Sequence, residues 1–409
     1  MPDLTETTTA DPGTPSADSA PTPPTASPPA ADAFADRFLA SWLGAIDMLA
    51  AHVGDRLGWY RALAESGPLT STALAQATGT AERYAREWLE QQAAAGVLVA
   101  EDPGAAPALD ADPQDLGRAR AYALPAAHAE VLTDASSLAY MAPMARFVGT
   151  IGSQLPRLLE SYRSGGGVSW DQMGDDARQA QADVNRPWFA QRLAPTLAAM
   201  PDVHEALSRP GARVVDVGCG FGWSTLALAR AYPRAEVHGI DVDQASVAAA
   251  RTAAAEAGLA RRAFFHLADA AELAVAQPYD AAFAFECVHD LPRPAAVLEA
   301  VRRAMKPDGV VVVMDESVAE EFHAPADDVD RLMYGYSLFV CLPDGLSTSP
   351  SAGTGTVMRP ATLRRYARAA GYSGVEVLPV DDFGFFRFYR LLLGSEGGRT
   401  SRGRGVPPE

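Results

Sequence analysis

The run Arg213-Val214-Val215-Asp216-Val217 passes without a break into Gly218-Cys219-Gly220-Phe221-Gly222, and a helical pattern begins at Trp223-Ser224-Thr225. A strand that turns through glycines into a helix lets the backbone approach a ligand closely and leaves unpaired N–H groups aimed at it. The rest of the second half of the chain fits that beginning. Short apolar runs at 213–217, 236–240, 263–267, 281–285, 309–314 and 374–379 alternate with helical stretches. Such alternation predicts an α/β fold with a mostly parallel, doubly wound sheet.

Two ligand classes use a glycine turn of this kind. A dinucleotide fold carries G-x-G-x-x-G, its third glycine allowing close helix–strand packing. Here the spacing is G-x-G-x-G, and the sixth position is the bulky Trp223. Asp216, two positions before Gly218, would repel a pyrophosphate but attract the ammonium of a methionine moiety. Spacing and charge therefore both favour S-adenosylmethionine. Further acids end the following strands: Asp241 in Gly239-Ile240-Asp241-Val242, Asp269 before Ala270, and Glu286 after Phe285. An acid at the end of the second strand hydrogen-bonds ribose hydroxyls, and one at the end of the third can accept from an adenine amino group. Any one of them alone reads equally well as a helix N-cap or turn residue. All four in register converge on the crevice where open α/β sheets bind ligands.

Composition sets the surroundings. The 409 residues carry 34 Lys+Arg against 51 Asp+Glu, a net charge of −17, and 48% are hydrophobic. The chain has apolar material for real cores, and its acidic balance opposes a dedicated nucleic-acid binder. Cys219, Cys287 and Cys341 lie far apart, and His52, His128, His204, His238, His266 and His323 show no metal-like spacing. No metal site is expected, and the cysteine usage suits a reducing cytoplasm. No apolar run is long enough to span a bilayer, for which roughly 18–20 residues are needed, so no membrane association is expected. Residues 1–33, all but free of apolar bulk and with no Lys or Arg, read as a disordered acidic tail, and 394–409, rich in Gly, Arg and Pro, as a disordered tail at the other end.

Between the tails lie three regions. Phe34, Phe38, Trp42, Ile46, Ala50, Val53 and Leu57 recur at helical spacing and need a packing partner, for which a second subunit is one candidate. Leu69-Thr70 opens a short helix, Thr78-Gly79-Thr80 is a turn, a second helix runs from Ala81 to about Ala95, and strands at 96–99 and 119–124 complete a winged helix. The domain expected over 34–125 is not built to read DNA. Its second helix sets Arg83 and Arg86 against Glu82, Glu87 and Glu90, and the wing has Glu101, Asp102, Asp110, Asp112 and Asp115 against Arg118. Residues 126–209 read as a helical linker, and 210–393 as the ligand-binding domain.

The stretches VVDVGCGFG, GIDVD, LADA, YDAAFAFECVHD and MKPDGVVVVMDE resemble the successive motifs of the class I S-adenosylmethionine-dependent methyltransferases. With the winged-helix front end, the chain resembles plant and actinobacterial small-molecule O-methyltransferases that dimerise through such a domain. ERYAREWLEQQAAAGVL, GGGVSWDQMG, QADVNRPWF, RLMYGYSLFVCLP and SAGTGTVMRPATLRRYARAAGY resemble a bacterial branch often labelled as regulators. The resemblance implies a Rossmann-like, seven-stranded sheet and a cytoplasmic homodimer. It also implies methyl transfer to a small molecule, at oxygen as in natural-product pathways. Cofactor contacts fall on Asp216, Gly218, Gly220, Gly222, Asp241, Val242, Asp269, Ala270 and Glu286. His289, in the pair His289-Asp290, takes the place of a general base, or else caps the following helix; Leu291 stands where those enzymes commonly have Trp. Glu286 either ligates the cofactor or orients the acceptor. Trp170, Trp188, Tyr334, Tyr336 and Phe339 are candidates for an acceptor pocket, although aromatic residues so spaced are as readily core. The alternative is a winged-helix regulator that keeps the cofactor fold as a sensor.

Overall fold

The structure, a computed structural model, describes residues 30–101, 117–273 and 277–394. The chain forms two compact units, residues 1–46 and 47–409. In the first, the described residues are mostly the opening turns of helix α1 (Ala31–Arg56), which starts at Ala31 rather than Phe34. Phe34 stacks on Phe38 with ring centroids 6.4 Å apart. Phe38 and Trp42 are 63% and 61% exposed, whereas Ala50, further along the stripe read from the sequence, packs against the Trp59 and Trp88 cluster.

The second unit begins with a winged helix: α2 (Trp59–Ser66), β1 (Leu69–Thr70), α3 (Ser71–Thr78), α4 (Glu82–Ala94), β2 (Val99–Glu101) and β3 (Ala121–Ala123). The strands pair antiparallel in the order β1-β3-β2. Leu69-Thr70, expected to open a helix, does lead into α3 and is itself a short strand. Thr70 then caps α3 by accepting the Ala73 N–H at 3.2 Å. The strand expected at 96–99 starts only at Val99, because Val97 and Leu98 N–H still bond to Gln92 O and close the end of α4. Trp59, Leu63, Leu74, Leu89 and Tyr122 are buried at the centre, with Trp88 lying 4.9 Å from the Trp59 ring. The tip of the wing, 102–116, lies outside the described residues, as do most of the two tails.

Helices α5 (Ala126–Thr133), α6 (Ala142–Ser164), α7 (Trp170–Met173) and α8 (Asp175–Trp188) follow. Arg146 of α6 is buried and donates to Asp55 of α1 at 2.6 Å and to Asp183 of α8 at 2.6 Å. A buried guanidinium with two carboxylates fixes the geometry of three helices at once. After α8 the chain takes one wide π-turn (Phe189–Leu193) into α9 (Ala194–Ala198) and α10 (Pro201–Ser208).

The sheet contains β4 (Arg213–Val217), β5 (Glu236–Asp241), β6 (Ala263–Leu267), β7 (Tyr279–Phe285), β8 (Met305–Glu316), β9 (Gly374–Val377) and β10 (Phe386–Leu392). Their order is β6-β5-β4-β7-β8-β10-β9, parallel except for β10, which runs antiparallel to both neighbours. Every residue of β7 is buried, as expected for a central strand covered on both faces. Alternate residues feed two cores: Val214, Phe283 and Val312 pack with Leu226 and Leu197, while Val215, Ala282 and Val311 pack with Leu298 and Leu363. Helices α11 (Trp223–Ala231) and α12 (Gln244–Glu256) link β4 to β6. Helices α13 (Pro294–Ala304), α14 (Asp328–Tyr336), α15 (Leu342–Leu346) and α16 (Pro360–Ala369) lie between β7 and β9. The chain moves outward from β4 to β6 and then returns to place β7 on the other side of β4. The switch point, where such sheets bind ligands, therefore lies beyond the C-terminal ends of β4 and β7. Among the described residues no helix is long and apolar enough to cross a membrane.

Candidate active site

A partly open pocket, with about 540 Å³ of empty space counting the solvent at its mouth, lies at that switch point. Its walls include Gly218, Cys219 and Gly220 from the turn after β4, and Phe285 and Glu286 from the end of β7. Trp170, Arg178, Gln181 and Asn185 reach it from the linker helices. The turn is folded by its own backbone: Gly218 N–H bonds to Ile240 O at 2.8 Å, and Gly222 N–H to Cys219 O at 2.8 Å. Gly218 has φ +68°, and a Cβ there would lie 2.6 Å from Cys287 Cβ. Gly222 has φ +80° and would bring a Cβ within 2.6 Å of the Phe265 ring. Both positions are closed to any other residue.

The predicted acids do different work. Asp241 binds the turn, accepting Gly220 N–H at 2.8 Å and Asp243 N–H at 2.9 Å. Burial raises its pKa even so. Asp216, expected to face the cofactor, does not line the pocket. It is 1% exposed beneath the turn, where Oδ2 accepts the hydroxyls of Ser224 at 2.6 Å and Thr225 at 2.5 Å and ties β4 to α11. Asp269 accepts the Ala271 N–H at 2.8 Å, the capping alternative, and pairs with Arg293 at 2.5 Å. Ala270 is buried behind it, while Val242 is 71% exposed beside Asp241. Glu286 faces the pocket, and its Oε2 accepts from Gln181 Nε2 at 3.1 Å and from Asn185 Nδ2.

His289 is 2% exposed. Its Nδ1 lies 2.9 Å from Asp315 Oδ1 and 3.2 Å from Glu316 Oε2, and its Nε2 lies 3.3 Å from Asp290 Oδ1. Burial pushes the imidazole pKa down, but the carboxylates of Asp290, Glu316 and Asp315 outweigh it and hold the pKa well above the usual histidine value. Histidine spacing could not reveal this cluster, because two of its acids, Asp315 and Glu316, come from the end of β8.

Of the expected pocket aromatics, Trp170 lines the pocket and its N–H donates to Asp344 at 2.6 Å. Tyr336 and Phe339 pack with Trp170 against Phe147 and Leu158, so they are partly core, and Tyr336 O–H reaches Met144 Sδ at 2.9 Å. Trp188 packs on Phe383, 5.7 Å between centroids, and is not among the lining residues. Tyr334 is 40% exposed and its hydroxyl accepts from Arg359 at 3.2 Å. Sequence reasoning missed Arg178, which lines the pocket and pairs with Asp243 through two bonds of 2.9 Å, and with Asp171 and Asp175. It missed Gln181 and Asn185 too. They stood inside a resembling segment, but nothing in it pointed to Glu286.

This pocket suits S-adenosylmethionine: the carboxyl of Glu286 stands on its wall and a bare backbone turn lies alongside, held by Asp241, which is itself outside the lining. The comparisons agree. A family described as "Methyltransferase domain" matches residues 208–342, and an "Rv2258c-like winged HTH domain" matches 44–106. The ubiquinone biosynthesis O-methyltransferase of Thiobacillus denitrificans is 30% identical over 186 residues, covering 44% of this chain and 73% of that one. A trans-aconitate 2-methyltransferase of Methylobacterium nodulans is 37% identical over 113 residues, 27% of this chain and 42% of that one. In fold, the chain is similar to mitomycin 7-O-methyltransferase MmcR, with TM-score 0.61, 23% identity and coverage of 89% and 99%. Human N-acetylserotonin methyltransferase, solved with its S-adenosylmethionine, gives 0.65 at 16% identity, with coverage of 91% and 100%. The chain belongs to the class I S-adenosylmethionine-dependent methyltransferases, enzymes whose cofactor is S-adenosylmethionine.

The buried Asp216 yields a pH prediction. Burial raises its pKa from 3.8 to about 6, against the opposing Ser224 and Thr225 bonds. Between those values the folded chain holds a proton that the unfolded chain has released, so stability falls as pH rises through the window and the full penalty stands above it. At roughly 1.4 kcal/mol per pKa unit, Asp216→Asn is expected to gain about 3 kcal/mol at pH 7.5 and little at pH 4. Urea unfolding at the two pH values checks this; a loss of stability at pH 7.5 would show that the charge is compensated.

Proposed function

We propose that this enzyme methylates an oxygen of a small, largely apolar acceptor, with His289 removing the acceptor proton. The observation that carries the reading is the His289–Asp315 contact of 2.9 Å immediately beyond β7, three residues from the pocket wall at Glu286. S-adenosylmethionine supplies an electrophilic methyl group on a sulfonium sulfur. Gly218, Gly220 and Gly222 would let the backbone close on the ligand; Asp241, with Val242 beside it, would hold its ribose, and Asp269 with Ala270 would border the adenine. Asp216 contributes by holding the turn and helix in place. Asp315 fixes the imidazole orientation through Nδ1, and the acceptor hydroxyl would take the place that Asp290 Oδ1 holds 3.3 Å from Nε2. Trp170, Phe189 and Phe285 exclude water from the reacting atoms, where positioning and desolvation supply most of the rate. Curated relatives named as O-methyltransferases support oxygen as the acceptor atom.

To this division of labour we assign the limits read from the sequence, 34–125, 126–209 and 210–393. The winged helix serves as a platform rather than a DNA reader. Arg86 is 4% exposed and lies 3.4 Å from Glu82, and Arg83 pairs with Glu87 on the same helix. The exposed stripe of α1 supports a homodimer, and cysteines left free support a cytoplasmic setting. Sedimentation is expected to give twice the chain mass, and a monomer would reject the dimer.

Because the carboxylates hold the His289 pKa above the ordinary histidine value, its proton-accepting form grows in at higher pH than that of a free imidazole. Methyl transfer from labelled cofactor to a panel of phenols is expected to climb on the alkaline side of neutrality. His289→Gln should lower it by about 10²–10⁴-fold and remove that limb while cofactor binding is retained. An unchanged rate in the variant, or label found on nitrogen or carbon, would contradict the reading.

A further inference from the structure

The linker helix α8 makes a contact with the cofactor pocket that the catalytic reading leaves unused. Gln181 and Asn185 stand one helical turn apart, and both amides donate to the same oxygen of Glu286, Oε2. All three residues line the pocket. Glu286 also has φ +50°, the left-handed region, alone among the described residues that are not glycine. A side chain there costs conformational free energy and persists when its surroundings fix it; such positions cluster at functional sites. Here a strained backbone and two convergent amides aim one carboxylate into a pocket whose only lining guanidinium, Arg178, is already taken up by Asp171, Asp175 and Asp243.

We propose that Gln181 and Asn185 are positioning residues that direct the Glu286 carboxylate into the cofactor pocket and favour its charged form. We propose further that this carboxylate makes the site prefer the cationic methyl donor over its demethylated product. The argument rests on the reading that the cofactor occupies this pocket. S-Adenosylmethionine carries a sulfonium charge that S-adenosylhomocysteine lacks, while the two share their other charged groups. A carboxylate in a water-poor wall distinguishes them through that one charge. Amide N–H groups favour a carboxylate over a neutral carboxyl, because they donate to the charged form.

The groups facing Glu286 set the pH at which this operates. Burial and then Glu316 on β8 raise its pKa to about 8, Asn185 and His289 oppose that rise, and Asp290 adds to it. Tyr336 of α14 lies close enough to feel both acids. Donor affinity therefore rises with pH as Glu286 ionises, and product affinity follows less. Loss of an amide moves the rise to higher pH.

The test is calorimetry of S-adenosylmethionine and S-adenosylhomocysteine from pH 6 to 9 with the full-length protein. In the wild type the donor-to-product affinity ratio is expected to grow about tenfold across that range, one pKa unit's worth of discrimination. In Glu286→Gln, which keeps the shape, the ratio should be flat and low. In Asn185→Leu the growth should be retained but its midpoint shifted upward by about one pH unit. Gln181→Leu replaces it if Asn185→Leu does not fold. A variant that is folded and binds with ratio and midpoint unchanged would overturn the positioning role, and an unchanged ratio in Glu286→Gln would overturn the role of the charge. A wild type that binds neither ligand would instead remove the cofactor reading beneath both.

Discussion

The backbone between β4 and α11 can pass over the sheet only where no side chain stands in its way. A Cβ on Gly218 would lie 2.6 Å from Cys287, the second residue beyond β7. That close approach brings the ends of two neighbouring strands together and forms the crevice in which the rest of the site is assembled. Ile240 supplies the carbonyl that folds the turn, Asp241 fixes the Gly220 N–H, and Asp216 draws the start of α11 onto β4 from below. Helix α8 then brings Arg178, Gln181 and Asn185 onto the open side.

The electrostatics follow from that packing. Burial at the sheet's C-terminal edge holds several acids above their ordinary pKa: Asp216, Asp241, Glu286, Asp290, Glu316 and Asp344. An unpaired buried charge is costly, so such a cluster is tolerated where a cation will enter or a proton will move. A sulfonium ligand meets the first condition at Glu286, and the imidazole of His289 among three carboxylates meets the second.

The parallel core was legible because its strands, buried on both faces, are continuous apolar runs, and the glycine turn because its chemistry is local. β10 was not read as a strand. Phe386–Leu392 mixes Arg387 and Arg390 into an apolar run, and its position between β8 and β9 depends on antiparallel partners rather than on alternation with a helix. The four strand-end acids were seen as a set, but not their individual tasks, since whether a carboxylate faces the ligand or a helix N-terminus depends on neighbours far along the chain. Ser224 and Thr225 decide this for Asp216, and Arg293 for Asp269. Gln181 and Asn185 were invisible for the same reason: on an amphipathic helix they read as solvated polar positions, and their acceptor lies about a hundred residues away. The aromatic stretch 334–339 divided between an exposed Tyr334 and packed Tyr336 and Phe339, a distinction made by α6 and not by spacing.

The central claim is that the turn after β4 and the end of β7 together grip the cofactor. A crystal structure with S-adenosylhomocysteine tests it most directly. The account predicts ligand density against Gly218 and Gly220, its ribose on Asp241 and its sulfur on the side of the pocket walled by Glu286. Density elsewhere on the protein, or a ribose away from Asp241, would contradict it.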